Sequence, residues 1–264
     1  MPTFPARPSF LRPNARLLVG LLLAAAPAAL SAQSAWTGWY LGVNAGYGTG
    51  KSDVASTISD PSLSYFPSQD LPAAVSASGS DSVKPKGAIG GITFGYNTQS
   101  GNTVYGFEVD ADASGFKGDR SVTSPYPGYP FLSYTVAQST KATYLATLRG
   151  RIGYASGRNL WFGTAGLAMT SLKLEDSFSD TQGPAAESQS KSKGKVGWTL
   201  GAGYELDMQN QWSFKVEVLY ADFGKVEVAG GTFTDGGTPN PNVSYTHSAN
   251  LKSEMIRFGF NYRF

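Results

Sequence analysis

Eight short segments in which apolar and polar residues alternate constrain the fold of this chain more than any other feature. They lie at residues 39–48, 87–97, 103–113, 143–154, 160–172, 196–206, 212–220 and 254–264. In the first, Trp39 and Leu41 share one face, and Tyr40 and Asn44 share the other. Successive side chains of a β-strand point to opposite faces, and roughly ten residues of a tilted strand cross a bilayer. The pattern therefore predicts strands with one face toward lipid and the other toward a lumen. Segment 160–172 is apolar on both faces, so its register stays open.

The links between these segments alternate in length. Residues 97–102, 155–158 and 207–211 form short links, whereas the links at 49–86, 114–142, 175–195 and 224–252 are long and rich in Ser, Gly and Pro. Because backbone groups in lipid must all be paired, such a sheet should close on itself. We predict an all-β fold, a closed antiparallel transmembrane β-barrel of eight strands, with short periplasmic turns and long extracellular loops.

A soluble lipocalin-like barrel, with its apolar residues inside, would fit the same alternation. Three features favour the membrane barrel instead: the terminal aromatic Phe264, the aromatic residues near the strand ends, and the alternating link lengths.

The first 32 residues are typical of an export signal. Arg7, Arg12 and Arg16 precede an apolar run at 17–30, which is too short for a spanning helix of about 20 residues. We predict cleavage after Ala32 and a barrel domain at 33–264. Removing three arginines from the formal net charge of +2 leaves −1, so a global basic field for nucleic acid is absent. The chain has no cysteine, which excludes thiolate metal sites and cysteine nucleophiles.

The predicted inner face carries five acids and five bases. They are Glu108, Asp110, Asp112, Glu205 and Glu217 against Arg149, Arg151, Lys215, Arg257 and Arg263. An eight-strand barrel is just wide enough for side chains to fill it, and unpaired charges there would be costly. We therefore predict a plug of paired charges, a lumen charge network, in place of a water-filled channel.

Lysines concentrate at the ends of the strands that meet the long links. They are Lys51, Lys84, Lys86, Lys117, Lys141, Lys173, Lys191, Lys193, Lys195, Lys225 and Lys252. A rim of this kind, with Lys84, Lys86, Lys141, Lys173, Lys193, Lys195, Lys225 and Lys252 as its main members, would attract the phosphates of outer-leaflet lipopolysaccharide. The alternative is that exposed loops carry solubilising charges, since acids share these loops.

Catalysis has weak support in the sequence. The single histidine, His247, lies on the fourth long link, with Ser244, Ser248 and Asp235 as its nearest candidate partners. A lone loop histidine is ordinarily solvated, and no motif surrounds it. The glycine-rich stretch GAIGGITFG is not followed by a helix and so lacks phosphate-binding geometry. We predict no enzyme activity, no cofactor, no metal and no nucleic-acid partner.

Six sequence stretches resemble the porin-like opacity family, the outer-membrane β-barrel group of alphaproteobacteria that includes abundant immunogenic surface proteins. They are WYLGVNAGYG (39–48), YGFEVDADA (105–113), LATLRGRIGYA (145–155), GWTLGAGYE (197–205), SFKVEVLYADFG (213–224) and the ending RFGFNYRF. The resemblance implies an eight-strand barrel in the outer membrane, with Phe264 as the signal for the barrel-assembly machinery. It implies no catalytic residues.

Three functions stay open at this point. The first is a structural barrel that displays surface loops, and the second is a small diffusion porin. The third is a surface receptor or adhesin, for haem as in some relatives of the family, with candidate contacts at Tyr65, Tyr126, Tyr129, Tyr134, Tyr245 and His247.

Overall fold

The computed structural model describes residues 36–181 and 185–264. The predicted export signal at 1–32, with its cleavage after Ala32, lies outside the described residues. In chain order the elements are β1 (Gly38–Ser59), α1 (Asp70–Ser78), β2 (Asp81–Val83), β3 (Lys86–Ser100), β4 (Thr103–Tyr126), β5 (Tyr129–Ser156), β6 (Asn159–Asp180), β7 (Ala186–Gln209), β8 (Trp212–Ala229), β9 (Thr234–Asp235), β10 (Thr238–Pro239) and β11 (Ser244–Arg263). Within the described ranges, no helix is long and apolar enough to cross a membrane.

Eight long strands form a closed ring. β1, β3, β4, β5, β6, β7, β8 and β11 each pair antiparallel with the next, and β1 pairs with both β3 and β11. The closing seam runs from Tyr40 opposite Arg263 to Ser59 opposite Ser244. This confirms the predicted eight-strand antiparallel barrel, and each of the eight predicted segments falls within one of these strands, apart from the final residue Phe264.

The strands are longer than the sequence predicts. β4 continues to Tyr126 and β5 begins at Tyr129, so the predicted loop 114–142 is almost entirely a paired hairpin. β1, β6, β7, β8 and β11 also continue past the predicted ends of their segments. In these extensions the outer face meets water, so its Ser and Thr residues give no apolar alternation. We call these extensions, together with α1, β2, β9 and β10, the outer lobe.

The outer surface of the barrel carries a band of exposed apolar side chains on every long strand. It includes Leu41, Val43, Ile92, Phe94, Leu148, Ile152, Leu167, Leu200, Val218, Phe258 and Phe260. On β6, the strand of open register, Trp161 and Leu167 point outward, while Leu160, Phe162 and Ala168 are buried inside. β6 is apolar on both faces because its inner face packs in apolar layers of the interior.

The interior is a stack of alternating polar and apolar layers. Along β11 the buried residues pass from Arg257, through Met255 and Leu251, to His247 and then Tyr245. Arg257 belongs to a charged layer, Met255 and Leu251 to an apolar cluster, and Tyr245 to a second cluster at the outer end. A third apolar cluster closes the periplasmic end with Trp36, Val104, Ala155, Leu160 and Phe162. The lumen is therefore filled by side chains, as expected for a barrel of this size.

Candidate functional site

The charged layer contains the ten residues of the predicted lumen charge network. Nine of them, Glu108, Asp110, Asp112, Arg149, Arg151, Glu205, Lys215, Glu217 and Arg257, are buried, and Arg263 is partly buried at the periplasmic mouth. They come from β4, β5, β7, β8 and β11. Alternation along each strand directs them inward, and the antiparallel register sets Glu108 directly opposite Arg149, and Arg257 opposite Glu217.

Arg149 lies at the centre of this layer. Its Nη2 is 2.7 Å from Asp110 Oδ2, and its guanidinium also contacts Glu108 and Glu217. A fourth bond runs from Nη1 to the hydroxyl of Thr164 at 2.8 Å. One guanidinium thus neutralises charge from two different strands, because its five donors form a rigid fork.

Lys215 and Arg257 balance the remaining carboxylates of this layer. Lys215 Nζ lies 2.8 Å from both carboxylate oxygens of Glu108. Arg257 donates to Asp112 at 2.9 Å and to Glu217 at 2.6 Å. Each buried acid in this group therefore has at least one cationic partner, as buried charges require.

The periplasmic side of the layer holds a second set of pairs. Arg151 contacts Glu205 and lies 3.9 Å from the ring centroid of Phe162. Arg263 is 2.7 Å from Asp207 and stacks on the ring of Trp36 at 4.8 Å. Asp207 lies in β7 and not in the short turn that the sequence predicts there, so its pairing with Arg263 was not expected.

Neutral polar side chains complete the charged layer. Tyr40 OH donates to Glu108 at 2.9 Å, Asn44 Nδ2 to Asp112 at 2.8 Å and Thr93 Oγ1 to Asp110 at 2.8 Å. The alternation along β1 and β3 predicts that these three residues face inward, but a pattern of charges does not identify them as members of the network. The result is a dense, cross-connected network and not a row of isolated pairs.

A second polar layer surrounds His247 in the outer lobe. The imidazole Nδ1 is 2.9 Å from Ser56 Oγ and 3.7 Å from Asp176, while Nε2 is 3.6 Å from Glu187. All four side chains are buried. Burial acts to lower the pKa of His247, but the nearby carboxylates of Glu187 and Asp176 outweigh it, so the pKa is raised above 6.5.

The expectation of a solvated His247 is therefore wrong. It lies on the inward face of β11 and not on a loop, because the link 224–252 is mostly strand. The hydroxyl that meets it belongs to Ser56, whereas Ser244 and Asp235 are exposed. The two carboxylates approach opposite nitrogens, so they cannot share one metal ion with the ring. Among the described residues no His, Asp or Glu cluster could hold a metal.

An aromatic cap closes the barrel above the His247 layer. Tyr126, Tyr134 and Tyr245 are buried in it, and Tyr65 packs against it. The hydroxyls of Tyr65 and Tyr126 both lie 2.7 Å from the same oxygen of Asp180. Of the tyrosines expected as ligand contacts, Tyr129 alone is well exposed, at 45%. Tyr126, Tyr134 and Tyr245 are buried strand residues, which corrects their assignment to surface loops, and Tyr65 is partly buried in the link between β1 and α1.

The lysine rim lies just above the apolar band. Lys117, Lys141 and Lys173 stand directly opposite one another on β4, β5 and β6, next to Lys86 on β3, and Lys84 is exposed nearby. Carboxylates pair many of these lysines. Lys141 and Lys173 both lie 2.7 Å from Glu175 and lower its pKa to about 2, with Lys141 the larger cause.

The remaining rim lysines divide into two groups. Lys225 lies 2.8 Å from Glu227, and Lys252 is 3.8 Å from Asp222. Lys193 and Lys195 instead donate to backbone carbonyls of β8. The rim is thus less uniformly basic than the sequence suggests.

Comparison with known proteins agrees with this geometry. The sequence profile of the outer membrane protein beta-barrel domain matches residues 17–264. The chain belongs to this family of outer-membrane β-barrels. It is 34% identical over 231 residues to the 31 kDa outer-membrane immunogenic protein of Brucella melitensis, covering 87% of this chain and 84% of that protein. It is also 33% identical over 155 residues to the 22 kDa outer membrane protein of Rhizobium leguminosarum, covering 58% of this chain and 62% of that protein.

Among solved structures, the outer membrane protein OprG from Pseudomonas aeruginosa is similar at 12% identity and a TM-score of 0.47, covering 89% of this chain and 100% of that one. The family and its alphaproteobacterial relatives confirm the resemblance drawn from the sequence and the location in the outer membrane.

The barrel ends on an exposed aromatic residue. Phe264 is 67% exposed, and its backbone N donates to the carbonyl of Trp39 at 3.0 Å. This contact holds the last residue against the first strand at the periplasmic edge, where the chain closes the ring.

Proposed function

We propose that this outer-membrane barrel is a structural protein that displays the outer lobe at the cell surface, and that its charge-paired interior does not conduct. The observation that carries the proposal is the stack of buried layers. Apolar clusters lie on both sides of the charged layer, and the aromatic cap lies above them. A continuous file of water would have to pass three apolar layers in which the member residues are almost fully buried.

The charged layer favours a plug over a small diffusion porin. A porin needs charges that water can reach, whereas the side chains of Arg149, Glu108 and Glu217 are fully buried. Removing one partner from such a network leaves an uncompensated charge, so the network resists opening.

The His247 layer and the cap disfavour an enzyme and a haem receptor. Ser56, His247 and Glu187 include a nucleophile, a base and an acid, but the three side chains are buried beneath the cap, away from the solvent that would bring a substrate. Four of the five tyrosines that could bind haem are engaged in packing or in bonds to Asp180, and Tyr129 is the one that stays well exposed.

Surface display and partners follow from position. A relative is named an immunogenic outer-membrane protein, which supports the proposal that the outer lobe is exposed at the cell surface. The lysine rim would bind phosphates of outer-leaflet lipopolysaccharide chiefly through the members that have no carboxylate partner, and the exposed Phe264 would engage the barrel-assembly machinery.

Single cysteines test this proposal, because the chain has none of its own. On intact cells, a membrane-impermeant maleimide should label Phe131→Cys, since Phe131 is 97% exposed at the β4–β5 turn. It should not label Asn210→Cys in the periplasmic β7–β8 turn. In refolded protein, Leu251→Cys should stay unreactive until the barrel is unfolded. Rapid labelling of Leu251→Cys in the folded barrel would contradict the packed interior.

A further inference from the structure

The wall of the barrel has a seam between β7 and β8. The backbone ladder that joins them ends where Trp198 stands opposite Asp222, although both strands continue into the outer lobe. On their other sides both remain paired, β7 with β6 as far as Ala186 and β8 with β11 as far as Ala229. Two strand edges therefore face each other above the apolar band without a backbone ladder between them, up to the outer end of β7, where Ala186 pairs with Thr234 of β9.

Side chains bridge this seam in place of the backbone. Lys195 Nζ donates to the carbonyl of Lys225 at 2.8 Å, and Lys193 Nζ donates to the carbonyl of Glu227 at 3.2 Å. Higher up, Gln189 Nε2 donates to the carbonyl of Ala229 at 2.8 Å. The lysine bridges keep the antiparallel order of the ladder below, so the two strands separate by the length of a side chain and do not change register.

The seam lysines break the inward pattern of β7. Lys191, Lys193 and Lys195 stand opposite Leu174, Leu172 and Thr170 of β6, all of which are buried. By parity the three lysines should also face the interior, yet Lys191 and Lys193 are exposed and Lys195 is half-exposed. Residues that contradict the local pattern mark functional positions more often than ordinary ones.

Among the described residues, no carboxylate within 4 Å neutralises their charge, a property that Lys84 and Lys86 of the rim share, whereas the other lysines of the rim are paired. Lys51, Lys117, Lys141, Lys173, Lys225 and Lys252 each lie within 4 Å of a carboxylate. Within the described residues, Lys191, Lys193 and Lys195 have no carboxylate at that distance. The uncompensated positive charge of β7 thus lies at the seam.

The seam is at the level of lipid headgroups. Val196, the next residue after Lys195, is exposed and apolar, and the exposed Trp198 contacts Tyr220 across the end of the ladder at 5.3 Å between ring centroids. Aromatic residues favour the membrane interface, where lipid phosphates lie.

We propose that the seam lysines, Lys191, Lys193 and Lys195, form a binding site for the phosphates of an outer-leaflet glycolipid. This rests on the proposed lipopolysaccharide partner and names its site. An ammonium has three donors, and Lys193 and Lys195 each use one on a carbonyl of β8, which leaves two to meet phosphate oxygens. The carbonyl bonds hold both ammonium groups in place before the lipid arrives, so less side-chain entropy is lost on binding.

Matched triple substitutions test the site. The seam variant Lys191→Gln, Lys193→Gln, Lys195→Gln is compared with the control Lys117→Gln, Lys141→Gln, Lys173→Gln, which removes the same charge from carboxylate-paired lysines. Binding of fluorescent bis-phosphorylated lipid A to refolded barrels in detergent is measured. We expect roughly 10- to 100-fold weaker binding in the seam variant and less than about threefold in the control.

Three further measurements separate the alternatives. Dephosphorylated lipid A should bind wild type as weakly as the seam variant binds the phosphorylated lipid, and inorganic phosphate at matched concentration should not compete. The variant Lys191→Arg, Lys193→Arg, Lys195→Arg keeps the positive charge and should retain binding. It provides the test of the site in case the glutamine variant folds poorly.

An equal loss of lipid A binding in the seam and control variants would overturn the site. It would leave only a diffuse attraction between the lysines and the lipid phosphates. Equal binding of dephosphorylated lipid A, or competition by inorganic phosphate, would also overturn it. Loss in neither variant would remove the lipopolysaccharide partner as well. None of these outcomes tests the non-conducting barrel, which is tested separately by the labelling of Leu251→Cys.

Discussion

Arg149 is the residue whose loss should disturb the interior most. It faces the carboxylates of Glu108, Asp110 and Glu217 inside the barrel. We expect Arg149→Met to lower the free energy of unfolding by about 3–5 kcal/mol, because buried acids would lose a shared cation. Urea unfolding of the refolded protein in lipid vesicles measures the change.

Lys225→Met serves as the control for that substitution, since Lys225 pairs with Glu227 on the exposed surface. The urea concentration at the midpoint of its unfolding should stay close to that of wild type. Equal destabilisation by the two changes would mean that the buried network does not hold the interior together.

At the residue scale, alternation in the sequence is enough to direct the charged side chains inward. Which acid meets which base depends on register between strands, which the sequence does not encode locally. Asp207, Tyr40 and Asn44 were missed because a turn residue and neutral polar residues do not stand out in a charge pattern. His247 was misplaced because its surroundings lack apolar alternation.

The His247 layer joins four strands and should make the outer lobe sensitive to pH. The pKa of His247 in the folded barrel is raised above 6.5. Its contribution to the free energy of unfolding is therefore complete at a pH below the pKa of the unfolded chain, and it is lost as the pH rises through the pKa of the folded barrel. Burial also raises the pKa of Asp176. This shift, like that of His247, increases the free energy of unfolding as the pH falls.

We therefore expect a larger free energy of unfolding at pH 5.5 than at pH 8.5, measured by urea denaturation. His247→Gln should remove most of that difference. A wild-type barrel that is more stable at pH 8.5, or a variant with the full pH dependence, would contradict this role.

Among the elements, β5 and β7 should respond differently to protease. Lys141 of β5 is paired with β4 on one side and β6 on the other, whereas Lys193 is paired with β6 alone. A protease needs an unpaired, extended backbone, so trypsin on intact cells should cut after Lys193 or Lys195 before it cuts after Lys141 or Lys173. Mass spectrometry of the first fragments measures the order, and early cleavage at Lys141 would argue against a paired hairpin.

Element boundaries were the weakest part of the sequence analysis for a physical reason. In the membrane, lipid requires apolar residues on one face, so strands such as β11 are plain from alternation. Above the membrane, water accepts Ser, Thr and Gly on that face, and the paired hairpin of β4 and β5 has the composition of a loop.

For the whole molecule, the closed ring was predictable because link lengths and alternation both require it. The stacked interior was not. Apolar inner residues such as Phe116, Val226 and Leu251 lie in links that the sequence assigns to loops, which leaves charged residues as the main feature of the predicted inner face. The filled lumen is therefore what the structure adds to the sequence.

The most direct test of the central claim is single-channel conductance of the refolded barrel in a planar bilayer. Because apolar layers flank the charged layer, we predict no stepwise openings over the physiological range of voltage. Stable, stepwise conductance from a protein whose folding has been verified would show a continuous water path and contradict the packed interior.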